Sequence, residues 1–310
     1  MHSHQINIIP SHQINKEKWD DCIKRSTNGT IYAQSFYLDT MSTNWDGMVL
    51  NDYEAIMPLC RGKKYGFSYL YQPSFIRHTA IYGNNVTHEI INAFFSAIPK
   101  HFKYWDIDLK ENSINPHTIT ASHLSLMKRR NFFLSLNKKY EEINKEYKRL
   151  AQRMLKKANE NKIEVIRNCD PEEVINFYKK HYGLLHKKIS EEDYKKLLSA
   201  TVIALNTGNA ATYLAKTSTG NIIASYLILK DDKFIYSIMG GTNTTGKETG
   251  AFYLLTDAAI KDYSNSERIF RFEGSDKKGI AFFNSQFDPI AVDYYNVKFN
   301  KLPWPLKLLK

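Results

Sequence analysis

Four glycines crowd one short stretch of the chain, Gly240, Gly241, Gly246 and Gly250, with Lys247 among them and Ala251 at the end. The apolar run Phe234-Ile235-Tyr236-Ser237-Ile238-Met239 leads into them, and helical periodicity starts near residue 250. A strand that opens into a glycine-rich loop and then a helix aims backbone N–H groups and the positive helix end at one point. Residues 240–251 are therefore expected to seat an anion, or else to be glycine-rich only for turning. Residues 241–247 also satisfy every position of the P-loop pattern but the last, where Glu248 replaces the metal-binding hydroxyl. A carboxylate there repels the phosphates it should help to hold, and the hairpin pattern upstream is wrong for a parallel nucleotide-binding sheet. Nucleotide hydrolysis is not expected.

Glu273 follows the apolar strand Ile269-Phe270-Arg271-Phe272 and precedes Gly274-Ser275. A carboxylate at a strand end beside the glycine loop gains a raised pKa from partial burial and can accept a proton. The plain alternative is an acid that caps the next turn or pairs at the surface with Arg271 or Lys277, and for Ser275 turn chemistry in place of a donated hydrogen bond. A second group of polar side chains lies in Tyr71-Gln72-Pro73-Ser74-Phe75-Ile76-Arg77-His78. The proline keeps this segment from being a central strand. Tyr71, Gln72, Arg77 and His78 are expected to form a pocket wall in which Arg77 holds a phosphate or carboxylate, or else an ordinary loop.

The formal charge of +11 points to an anionic partner, a nucleotide, a pyrophosphate, RNA or an acidic membrane surface. Residues 138–162 hold nine basic and four acidic side chains. Within them Ile143, Tyr147, Leu150, Met154, Leu155 and Ala158 recur at helical spacing, which leaves Lys145, Lys148, Arg149, Arg153, Lys156 and Lys157 on the other face. That face is either a solvated helix surface or a contact for a polyanion. Cys22, Cys60 and Cys169 suggest neither disulfides nor a zinc site, and the histidines show no metal-binding spacing, so no metal is expected. No apolar run reaches the length of a membrane span, and residues 1–10 lack a basic segment followed by an apolar block, so a cytoplasmic protein is expected.

The elements that position these residues come in a repeated order. Met48-Val49-Leu50, a turn at Asn51-Asp52 and Glu54-Ala55-Ile56-Met57-Pro58-Leu59 predict a hairpin. Strands follow at Phe67-Ser68-Tyr69-Leu70-Tyr71 and Thr79-Ala80-Ile81-Tyr82, then a helix over 87–101 and a strand over 104–109. About 165 residues later the order recurs: strands over 211–216, 222–229 and 234–239, a helix over 250–263 and a strand over 269–272. One helix across 143–158, another capped by Asp170-Pro171 and a third capped by Ser190 precede the second set. The expected division is 1–135 and 136–310, with the join between Asn131 and Lys139.

This order resembles the GNAT superfamily of acyltransferases, and more closely the duplicated proteins of the Fem type, which are aminoacyl and peptidyl transferases. The resemblance rests on residues 147–165, on 222–243 with Gly250-Ala251-Phe252, and on 270–287, together with Ala55-Ile56-Met57-Pro58-Leu59 and Tyr71-Gln72-Pro73-Ser74-Phe75 in the first half. It implies a mixed α/β chain of two tandem GNAT-like (acyl-CoA N-acyltransferase) units, each a mixed sheet flanked by helices. It also implies transfer of an acyl group to an amine in a cleft between them, with the acceptor on the first half and the donor on the second. The donor would be acyl-CoA or aminoacyl-tRNA, at Gly240, Gly241, Gly246, Lys247, Gly250 and Ala251, with Glu273 as base, Ser275 as hydrogen-bond donor and tRNA on the basic helix face. Residues 246–251 lack the Gly-x-Gly/Ala spacing typical of a CoA loop. Phe282-Phe283 stands where many GNAT enzymes carry an acidic tyrosine, leaving Tyr294 and Tyr295 further on as substitutes. The alternative is a protein of this fold without catalysis that binds RNA or another polyanion.

Overall fold

Isoleucine-rich β1 (Ile6–Pro10) pairs antiparallel with β2 (Trp45–Leu50), and β2 pairs with β3 (Ala55–Lys64) through the turn expected at Asn51-Asp52. These elements belong to a computed structural model that describes residues 5–111, 113–114 and 124–309. Strand β3 runs on through the polar Arg61-Gly62-Lys63-Lys64, because the reversal falls at Tyr65 and Gly66, both with positive φ. It then pairs with β4 (Phe67–Tyr71), and β5 (Tyr82–Gly83) makes a short contact with its start. Between β1 and β2 lie α1 (Lys16–Arg25), N-capped by Asn15, and α2 (Ser35–Met41). Helix α3 (His88–Ala97) is capped by Thr87 and turns Ile91, Phe94 and Phe95 inward. It leads to β6 (Phe102–Leu109), which lies parallel to β4.

Two long strands, β7 (Ser125–Ser135) and, at the other end of the chain, β13 (Ile290–Asn300), bracket the remaining elements. The single helix expected over 143–158 is two, α4 (Tyr140–Glu146) and α5 (Arg149–Glu160), parted at Tyr147 and Lys148 where both backbones are extended. After β8 (Glu164–Arg167) come α6 (Pro171–Tyr182), capped by Asp170 with Pro171 in the first turn, and α7 (Glu191–Asn206), closed by a Ser190–Asp193 capping box. Strands β9 (Ala210–Lys216), β10 (Ile222–Lys230) and β11 (Phe234–Thr242) form an antiparallel meander. A short α8 (Thr244–Thr249) and then α9 (Ala251–Tyr263) carry the chain back to β12 (Ile269–Arg271), and α10 (Lys278–Asn284) precedes β13.

The chain divides into two units, Met1–Arg129 with Asp293–Lys310, and Arg130–Val292. This differs from the expected division: residues 130–135 stand with the second unit, and the tail from Asp293 stands with the first. The physical reason is strand pairing, since Tyr295 to Asn300 pair with β6 and the end of β7 pairs with β12. Each unit repeats one sheet. In the first the order is β1-β2-β3-β4-β6-β13 and in the second β8-β9-β10-β11-β12-β7, and in both the fourth and fifth strands alone are parallel. The cores follow the alternation of each sheet, with Met57, Phe94 and Ile107 in the first and Tyr226, Leu255 and Phe270 in the second.

Candidate functional site

Parallel strands β11 and β12 pair at three positions, Phe234, Ile235 and Tyr236 opposite Ile269, Phe270 and Arg271. The pairing then stops, because β12 ends at Arg271 while β11 continues along β10 to Thr242. A bulge falls at the same level: Leu227 opposes Met239 and Ile228 opposes Ser237, so Ile238 is an extra residue on β11. A bulge bends its strand and strengthens its twist. Among the described residues no strand lies against this edge of β11 from Ser237 to Thr242. The two strands form a fork, and a strand edge without a neighbour presents backbone hydrogen-bonding groups. Tyr182, at the end of α6, closes the far end: its hydroxyl donates to the Thr242 carbonyl (2.9 Å) and accepts from the Thr242 N–H (3.2 Å). The residue types around Tyr182 gave no sign of this role in the sequence.

Past Arg271 the chain leaves β12 in a left-handed turn, with φ of 52° at Glu273 and 67° at Gly274. Glu273 is 6 % exposed and is held from both sides: Arg271 Nε donates to Oε1 (3.0 Å) and Asn131 Nδ2 to Oε2 (3.0 Å). The pair expected with Arg271 thus exists, but in the interior and not at the surface. Arg271 is itself fully buried, its guanidinium 4.5 Å from the Phe133 ring and 5.2 Å from that of Phe234. Such packing is what lets a strand reading Ile-Phe-Arg-Phe keep a cation inside. Ser275 Oγ accepts from Asn284 Nδ2 (3.0 Å), and Asp276 accepts from the Arg130 N–H (3.1 Å), so the turn is tied to α10 and β7.

The glycine segment is not an open loop. Gly240 and Gly241 lie within β11, and residues 244–249 are helical, with Asn243 capping α8 by accepting from the Gly246 N–H (2.8 Å). The missing side chains are used for packing. A Cβ on Gly240 would meet the Phe252 ring at 2.4 Å, and one on Gly241 the Tyr182 ring at 2.3 Å. Gly246 lies against the Ile223 carbonyl, and Gly250 sits in the left-handed region against the Met154 backbone and starts α9 at Ala251. Lys247 and Glu248 are exposed on α8. The expected open loop is therefore a short helix capped by Asn243, followed by the start of α9, which has no side-chain cap.

The first unit holds the matching fork. Its last pair between β4 and β6 is Tyr71 opposite Asp106, and two residues on, Asp108 accepts from Asn296 Nδ2 (2.9 Å) and from Arg129 Nη1 (3.0 Å). In the second unit Tyr236 faces Arg271, and two residues on stands Glu273 with Asn131 and Arg271. A carboxylate flanked by one asparagine and one arginine thus recurs at the same place. The first fork, however, is filled. Gln72 Oε1 accepts from the Asp108 N–H (3.2 Å), and Thr79 bridges the gap by donating to the Asp108 carbonyl (2.8 Å) and accepting from the Lys110 N–H (2.7 Å). Gln72 also donates to the Ile76 carbonyl (2.9 Å). Tyr71, Gln72 and His78 line a cavity of about 10 Å³, the space of a single water, with His78 buried and Arg77 half-buried. Tyr294 and Tyr295 fall in the first unit, and Phe283 packs in the second unit's core against Tyr253 and Phe287.

A third polar cluster was not read from the sequence. Asp257 on α9 accepts from the Tyr140 hydroxyl at 3.0 and 2.9 Å and lies 3.4 Å from Asn144 Nδ2, at the floor of a groove of about 620 Å³ edged by Lys156, Arg167 and Lys261. Burial raises its pKa above the ordinary carboxylate value, although Tyr140, Tyr147, Asn144 and Lys261 all pull the other way. The folded chain therefore keeps this proton over a pH range in which the unfolded chain has lost it. Stability from this group is present below the unfolded pKa and lost as pH rises through the folded one. Asp257→Asn removes that titration. Its melting temperature relative to the parent should rise as the pH is increased above the ordinary carboxylate range, measured by thermal denaturation; a pH-independent difference would overturn this. Among the described residues no group of three His, Cys, Asp or Glu side chains could hold a metal ion, and no helix is long and apolar enough to cross a membrane.

No protein-family model and no curated protein matches the chain. Solved structures do. FemX superposes with a TM-score of 0.69 at 11% identity, over 98% of this chain and 99% of that one. L-PGS from Bacillus licheniformis gives 0.57 at 12% identity over 94% of each chain. A tandem GNAT protein from the clavulanic acid biosynthesis pathway gives 0.56 at 9% identity, over 95% and 98%. The repeated six-stranded sheet with its single parallel joint is the tandem GNAT fold, similar to that of FemX.

Proposed function

We propose that the chain is an N-acyltransferase whose donor is an aminoacyl-tRNA and whose acceptor is an amine. The observation that carries this reading is the fork in the second unit, where the bulged edge of β11 can receive a carbonyl group beside the turn of Glu273 and Ser275. In the reaction the amine forms a C–N bond to the donor carbonyl, the ester C–O bond to the ribose breaks, and the amine proton ends on the departing ribose oxygen. Positioning supplies much of such a rate. Both oxygens of Glu273 already accept hydrogen bonds, so we assign it to positioning the turn and not to proton transfer. Ser275 retains its hydroxyl proton and is assigned as a donor to the developing or departing oxygen.

Two features favour tRNA over CoA. The glycine segment is helical over 244–249, and its Gly246 N–H is already taken by Asn243, which makes it a poorer seat for a pyrophosphate than an open loop. Lys145, Lys148, Arg149, Arg153, Lys156 and Lys157 are all exposed along α4 and α5, and α5 touches the start of α9 through Met154. Phosphate contacts of this kind make affinity strongly salt-dependent. FemX and L-PGS share the fold, which agrees with this reading.

The test is amide formation from charged tRNA with a panel of amines, beside acetyl-CoA. Transfer from charged tRNA is expected, and the triple variant Lys148→Glu, Arg149→Glu, Arg153→Glu should lower kcat/KM by at least about tenfold while folding normally. Turnover of acetyl-CoA that is indifferent to salt and to the triple variant would overturn the tRNA assignment. Retention of tRNA without amide formation from any acceptor would replace the enzyme with an RNA-binding protein of the same fold.

A further inference from the structure

The turn between α6 and α7 displays two leucines that none of the described residues covers: Leu184 is 87% and Leu185 73% exposed. Their exposure is built and not frayed. Gly183–Leu185 is a helical turn closed by the His186 N–H on the Gly183 carbonyl (3.1 Å), and the Ile189 N–H bonds to the His186 carbonyl (2.8 Å). On the near side Tyr182 is fixed to Thr242, and Tyr178 stacks on both Tyr182 and His186. Lysines flank the leucines, with Lys180 before them and Lys187 and Lys188 after them, all exposed. A second segment of the same character stands beside this turn, since Lys277 Nζ lies 3.3 Å from His186 Nδ1. There Lys277 and Lys278 precede Ile280 and Phe282, the latter 60% exposed.

We propose that these two segments form a docking surface for an anionic lipid membrane. Apolar side chains at the apex of a rigid convex turn suit insertion among lipid headgroups better than burial against a flat protein face. Lysines on both sides match a negative surface, and the two contributions add. Leu184, Leu185, Lys187 and Lys188 bond neither to the fork residues nor to the basic face of α5, so their variants test this surface apart from the transfer activity.

Vesicle co-sedimentation at about 0.1 M salt tests it. The chain should bind vesicles of phosphatidylglycerol and phosphatidylcholine and not vesicles of phosphatidylcholine alone. Leu184→Ser with Leu185→Ser, and separately Lys187→Glu with Lys188→Glu, should each weaken binding by at least about tenfold. All four side chains are exposed, so circular dichroism should show both variants folded. Absence of binding by the parent chain would overturn the proposal, as would binding that survives loss of the leucines, because charge elsewhere would then explain it. Self-association that the leucine variant abolishes, without vesicle binding, would assign the surface to a second copy of the chain and also overturn it.

Discussion

Arg271→Met is expected to destabilise the second unit by about 3–5 kcal/mol, because it leaves the Glu273 carboxylate buried without its cation. Methionine keeps most of the bulk between the Phe133 and Phe234 rings, so the loss reports the charge and not a cavity. For a unit of this size that corresponds to a fall in melting temperature of about 10 °C. Urea unfolding gives the free energy directly. The double variant Arg271→Met, Glu273→Leu should recover much of the loss, since an apolar pair replaces a buried ion pair at little net cost. The corresponding pair in the first unit serves as an internal contrast: Arg129 is 32% and Asp108 15% exposed, so Arg129→Met should cost far less. Equal losses at the two sites would show that the interior position of Arg271 is not what makes its pair matter.

Gly246→Ala should cost about 3 kcal/mol, near the upper end for forcing atoms into a packed interior. The added Cβ would stand 2.1 Å from Thr242 Oγ1 and 2.2 Å from the Ile223 carbonyl oxygen. Neither is the free end of a flexible side chain. The Thr242 hydroxyl donates to that same Ile223 carbonyl (2.9 Å), so α8 would have to lift off β10 and break this bond. Gly220→Ala is the control. Gly220 also has no side chain and a φ of 84°, but nothing lies within reach of a Cβ there, so only the backbone penalty of about 1–2 kcal/mol remains. Chemical denaturation of both variants checks the ordering, and a Gly246→Ala loss no greater than that of Gly220→Ala would sink it.

Much of the fold was legible because it is written in local periodicity. The hairpin at Asn51-Asp52, the capped starts of α6 and α7 and the run of β9 to β11 need only turn chemistry and alternation. The repeat of element order was legible for the same reason. The units' boundaries were not, because the pairing of Tyr295 with Leu109 joins residues far apart in sequence, and no local pattern in β13 names its partner. The site was read in outline. Glu273 and Ser275 do lie at the end of the strand beside the fork, yet the sequence offered Arg271 only as a surface partner and gave no sign that Asn131, 142 residues away, would hold the second carboxylate oxygen. The glycines misled for a clear reason. A glycine that lets a backbone move and one that lets a ring come close look identical in a sequence, and Gly240, Gly241 and Gly246 are of the second kind.

The repeat gave this chain two forks, each with a carboxylate, an asparagine and an arginine, although Arg271 stands two residues before Glu273 and Arg129 reaches Asp108 from β7. What separates the forks is small: in one, Gln72 and Thr79 bind across the gap, and in the other β11 carries the extra residue Ile238 opposite β10. The inheritance is therefore symmetrical in architecture and unequal in use. One half closes its opening with its own chain, and among the described residues the other leaves the end of β11 without a neighbouring strand, so two similar sheets present one open edge.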